Sequence, residues 1–356
     1  LTGCFARAAA ERHSISRLWK QSSGLMARSV TQNAGDHGEH YITRDKKEYW
    51  AMFYSAAGGG VLIALMALFK TYLGSIIDDK VWKGIAEGLN YGLGFMVIFM
   101  LHFTVATKQP AMTAARFAEA VEKTPQGKTV NMKLAQLLVD VFRSQSIAVL
   151  GNVLIAMGLA ALIAFGYQYK TGEPLMNADQ IAYQLHSIDP FSGTLWFAAI
   201  AGVWLFCSGI ISGYFDNRSN YLNMRMRLTQ HPLLKKLMSE KTRVKFANYM
   251  HENYGSLIGN LCFGMLLGIT GVVGYLTHLP LDIRHVAFSS ANVGYIAVSG
   301  HFTYSLLLQC IGFVLLIGLV NLIVSFSLTL WVALRSLNAE IDSWWPIWHE
   351  VCQIVK

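Results

Sequence analysis

The stretch GLNYGLGFMVIFMLHFTVATKQP, residues 88–110, decides how the chain is read. It is apolar over the roughly 20 residues that cross a bilayer core, yet it carries Asn90 and His102 and ends in Lys108 and Pro110. At 100° per residue, Glu87, Asn90, Tyr91, Gly94, Ile98 and His102 share about a third of a helix circumference. The stretch therefore reads as a membrane helix with a polar face.

The composition agrees: 53% of the 356 residues are hydrophobic, only 14% are charged, and the mean hydropathy is +0.37. The charges cluster between long uncharged runs, as in a polytopic membrane protein. The predicted fold is all-α, with about six transmembrane helices near 50–69, 84–106, 146–169, 193–215, 255–276 and 302–334. Residues 1–49 read as a cytoplasmic helical lead-in, 216–254 as a basic amphipathic loop, and 335–356 as an interfacial tail holding Trp344, Trp345 and Trp348. Residues 279–300 start too polar for a span and become too apolar for a loop, which predicts a re-entrant or surface-lying segment. The chain opens on Leu1 rather than Met, so a longer protein is expected.

The formal net charge of +8 raises the question of nucleic acid. With six spans, however, 24 of the 29 Lys and Arg fall on one side and 5 on the other. This is the positive-inside asymmetry. It predicts both termini in the cytoplasm, and it accounts for the charge without nucleic acid. The expected partners are the bilayer and, at 216–254, anionic lipid; a homo-oligomer is left open.

An ionisable residue inside a span is expensive and marks a functional candidate. Glu87, Asn90, Tyr91 and His102, with Asn152 and Asn260 on other spans, could line a ligand or ion pathway; the competing role is hydrogen bonding between packed helices. Asp282, Arg284, His285, Ser289 and Asn292 form an outer-side polar cluster open to three readings: substrate or ion contact, a loop network, or a Ser-His-Asp set. Cys207, Cys262 and Cys310 lie in apolar runs as buried thiols, and Cys4 and Cys352 stand far apart. The sequence has no Walker loop, His-Glu-x-x-His or Cys-x-x-Cys, so no cofactor or metal is expected.

Several phrases together carry a resemblance: HYITRD at 40–45, GLNYGLGFM at 88–96, LHFTVATKQPAMTA at 101–114, RSQ at 143–145, LHSIDPF at 185–191 and LPLDIRHVAFSSAN at 279–292. They resemble a bacterial membrane family labelled site-specific recombinase, of the gonococcal Gcr type. The resemblance implies a longer protein with a helical region ahead of the membrane part, and its label implies DNA strand exchange. A tyrosine recombinase needs His-x-x-Arg, which occurs nowhere in the chain, and His40-Tyr-Ile-Thr-Arg44 has the wrong spacing. No catalytic residue is carried over. Three functions remain: binding or transport of a small or lipidic ligand, a membrane anchor or scaffold for a cytoplasmic N-terminal region, and the recombinase of the label.

Overall fold

The computed structural model describes residues 43, 45–106, 120–121, 128–337 and 343–355. The expected lead-in over 1–49 falls outside them except for Thr43 and the residues from Asp45 on, as do Lys108 and Pro110. Among the described residues there is no strand. The main helices are α1 (Lys46–Ile76), α2 (Lys80–Met100), α3 (Lys128–Thr171), α4 (Ala178–Ile188), α5 (Thr194–Tyr221), α6 (Met224–Gln230), α7 (Pro232–Leu237), α8 (Glu240–Thr277), α9 (Val286–Ser299), α10 (Tyr304–Leu337) and α11 (Trp344–Val355).

Among the described residues five helices, α1, α3, α5, α8 and α10, are long and apolar enough to cross a membrane. The expected second span, α2, is not among them. It has 21 residues, about 32 Å, but Lys80, Lys83, Glu87 and Asn90 lower its hydropathy. Several helices also outrun their apolar runs. The 44 residues of α3 extend about 66 Å, and α1 continues through Lys70 to Ile76, past the expected end of its span at 69.

Glycine contacts set the directions. Gly84, Gly88 and Gly92 of α2 meet Val272, Gly268 and Gly264 of α8 in descending order, so these helices are antiparallel and their backbones touch. This is close packing of the kind small residues allow. Gly151 of α3 meets Phe53 and Ala57, and Gly60 of α1 meets Asn152 and Ala156, so α1 and α3 run parallel. Helices α5 and α8 are antiparallel, paired from Trp204 Nε1 on Thr270 Oγ1 (2.8 Å) to Gly255 N on Asp216 Oδ1 (2.8 Å).

The helix expected over 84–106 runs instead over Lys80–Met100. His102 N donates to Phe99 O and Phe103 N to Ile98 O, with His102 at φ 58°. This is a Schellman end with histidine in the left-handed position that glycine usually takes. His102 therefore leaves the face shared by Glu87, Asn90 and Tyr91, and it is exposed. Beyond it, Thr104, Val105 and Ala106 are buried between α1 and α3, the first two in non-helical backbone.

The 279–300 region turns back into the bundle. At His278, φ 55°, the chain reverses and retraces α8, with Leu281 against Gly274, Asp282 near Gly271 and His285 against Phe263. From there α9, with 11 of its 14 residues buried, leads out again. It packs Gly294 on Met157 and Ala160 of α3 before a second Schellman end at His301 and Phe302. Non-helical backbone at depth is tolerated where protein surrounds it. That condition is met, because Asn321 of α10 accepts from Val286 N and donates to the carbonyls of Arg284 and Ala198.

Exposed aromatic side chains gather toward the two ends of the bundle. Trp50, Tyr54, Tyr221 and Trp331 lie toward one end, and Tyr72, Trp82, Tyr169 and Tyr304 toward the other. Such belts mark membrane-water interfaces. Helix α11 packs through Ile347 on Leu134, Ala135, Leu330 and Ala333 at the first end, leaving Trp345 and Trp348 exposed.

Candidate ligand-binding site

The polar face of α2 is turned toward α1. Asn90 Nδ2 donates to Met66 O at 2.9 Å, and Glu87 Oε2 lies 3.5 Å from Lys70 Nζ. The Lys70 ammonium also stands 5.7 Å from the ring centre of Tyr91, which is buried and packed on Phe288 of α9 at 4.4 Å. Lys70 was the missed member of this group. As the first charge after the run 50–69 it reads as the end of a span, but the longer α1 places it beside Glu87. Tyr183 of α4 lies within electrostatic reach of Lys70, and Asp282 of Tyr91.

The outer-side cluster is divided. Arg284 donates from Nη1 to Asp282 Oδ2 (2.6 Å) and from Nε to Ser187 O (2.8 Å), with its guanidinium 5.4 Å from the centre of the Phe197 ring. Asp282 also accepts from Ile283 N at 2.8 Å. These bonds tie the in-running segment to α4 and α5. His285 points elsewhere, into the rings of Phe95, Phe263 and Phe288 at centroid distances of 6.1, 5.8 and 5.8 Å. Ser289 is buried on α9 and Asn292 half-buried. With Asp282 committed to Arg284 and His285 set among phenyl rings, the nucleophile arrangement is not what the fold builds.

Of the remaining amides, Asn152 and Asn321 act as staples. Asn152 Oδ1 accepts from Ala106 N at 2.8 Å while its Nδ2 donates to Thr104 O (2.9 Å) and Ala56 O, joining α3, α1 and the irregular stretch after α2. Asn260 donates to Ser256 O of its own helix. Asn321 does for the extended segment before α9 what Asn152 does for 104–106.

A cavity does open, away from the bundle axis. It has a volume of about 650 Å3 and lies between α1, α3 and the segment leading into α4. Leu65, Leu68, Phe69, Ile163 and Leu175 supply apolar walls; Thr71, Tyr72, Ser75, Tyr167 and Gln180 supply hydroxyl and amide groups. Leu65, Phe69, Tyr72 and Tyr167 are themselves exposed, so it opens sideways. No cavity residue was foreseen from sequence, because each belongs to a run that reads as ordinary span or loop. Among the described residues no group of three His, Cys, Asp or Glu is placed to hold a metal ion.

These features define a polytopic helical membrane protein with a tightly packed centre, an in-and-out segment and a lateral cavity. The chain belongs to the family described as site-specific recombinase, whose model matches residues 1–356. No curated protein and no solved structure matches it.

Proposed function

We propose that the protein binds a small amphiphilic or lipidic ligand in the cavity between α1, α3 and α4. The observation that carries this reading is the cavity's make-up: leucine, isoleucine and phenylalanine walls with hydroxyl and amide groups among them, at the aromatic belt and open to the side. A pocket of 300–1,000 Å3 with apolar walls and a few polar groups suits a ligand that is mostly hydrocarbon. We place it in the bacterial inner membrane with both termini cytoplasmic and α2 as a sixth crossing, as the Lys and Arg distribution supports; the cavity then belongs to the outer leaflet. The glycine-packed α2–α8 contact and the stapled asparagines favour binding at the side over passage through the centre.

The test is native mass spectrometry of the detergent-purified protein, with and without added lysophospholipid. The wild type should retain one lipid-sized ligand, and Ile163→Trp, which fills the cavity, should lose it while keeping its melting temperature. Equal retention by both would overturn the reading. A membrane anchor or scaffold is the second reading, favoured by the packed layer that α11 forms with α3 and α10 at one end of the bundle. Strand exchange, the activity in the family's description, has no His-x-x-Arg to serve it. Recombination by the purified protein, lost on one Tyr or Ser substitution, would restore it.

A further inference from the structure

We propose that the α6–α7 tip docks on anionic lipid headgroups. The tip joins two helices that stay paired to its base, where Ser219 Oγ meets His251 Nδ1 at 3.1 Å. Tyr221, 86% exposed, closes α5, and α6 begins at Met224, within a turn of that interfacial ring. Arg225, Arg227, Lys235 and Lys236 are exposed, and none forms an ion pair among the described residues; Lys235 donates only to Gln230 Oε1, at 2.8 Å. Between them stand Met226, Leu233 and Leu237 at 68, 62 and 78% exposure.

Both halves of this pattern need a partner, and the pairing selects which one. A nucleic-acid backbone answers the cations but gives three aliphatic side chains no apolar layer to enter. The surface of an anionic leaflet answers both, with phosphates for the bases and the acyl boundary for Met and Leu. Helix α6 also follows directly on the span α5, beyond Tyr221, which keeps it close to that surface.

The full chain, reconstituted in nanodiscs, tests this. An environment-sensitive fluorophore is placed on Leu237→Cys, and separately on Met226→Cys, with the native cysteines replaced. In discs containing phosphatidylglycerol the emission should shift blue, and iodide quenching should fall about threefold relative to phosphatidylcholine alone. The difference should vanish in about 0.5 M salt, where the Debye length is only a few ångströms, and in the Lys235→Glu/Lys236→Glu variant, whose exposed positions leave folding intact. Equal quenching in both discs at both positions would overturn the proposal, as would protection conferred by duplex DNA in place of anionic lipid.

Discussion

The carboxamide of Asn321 spans the backbone of Arg284 and Val286, donating to the carbonyl of the first at 3.0 Å and accepting from the N–H of the second at 3.1 Å. One buried side chain thus satisfies both sides of the break between the in-running segment and α9, and its third bond, to Ala198 O, ties the break to α5.

Replacing Asn321 with Leu should lower stability by about 2 kcal/mol, three intramembrane bonds at roughly 0.6 kcal/mol each with a further loss for orphaned backbone groups. Asn260→Leu, which removes a bond within one helix, should change stability by less than about 1 kcal/mol. Reversible unfolding in mixed micelles distinguishes them; equal losses would count against the staple.

The α2–α8 contact predicts a contrast between glycines. A Cβ on Gly268 would meet the backbone of Gly88, so Gly268→Ala should separate the helices and destabilise by about 2 kcal/mol or more. Gly158 has nothing within 4 Å, and Gly158→Ala should stabilise by about 0.5–1 kcal/mol through helix propensity alone. Paired melting curves give the answer.

Lys70 and Glu87 should behave as a unit. Lys70→Met or Glu87→Leu alone leaves a half-buried charge, whereas the double replacement removes both and should recover most of the loss. A double-mutant cycle should give a coupling of about 1 kcal/mol, modest because Lys70 is 37% exposed. A coupling near zero would mean that the two charges stand side by side without depending on each other.

Arg284 should not tolerate lysine. Its Nε and Nη1 reach Ser187 O and Asp282 together, and a single ammonium cannot serve both sites. Arg284→Lys is expected to lower the melting temperature nearly as far as Arg284→Gln. Asp282→Asn should lower it less, since that carboxylate is 38% exposed and keeps its bond from Ile283 N.

Long apolar runs were enough to read an all-helical membrane protein, while 279–300, polar at its start and apolar later, left a re-entrant and a surface-lying segment both open. Where helices stop was harder. His102 and His301 occupy turns that usually announce themselves by glycine. The available signal was the triplet His-Phe-Thr, present at both 102–104 and 301–303. Asn152, Asn260 and Asn321 look alike in sequence, and only the tertiary fold separates two staples from a bond within one helix. The same holds for His285, which stands beside Arg284 in sequence and among the rings of Phe95, Phe263 and Phe288 in space. The cavity was invisible because concavity comes from the spacing of α1, α3 and α4, which no single run encodes.

The in-and-out segment also constrains biogenesis. At 14 residues α9 is too short to be retained by the insertion machinery as a span of its own, so residues 278–303 must first pass to the far side of the membrane with the end of α8. Their seat is completed by Asn321, which emerges from the ribosome only later. The centre of the bundle is therefore assembled last, after the final long helix has been threaded, and a chain cut short before α10 would have its outer spans in place around an unfilled middle.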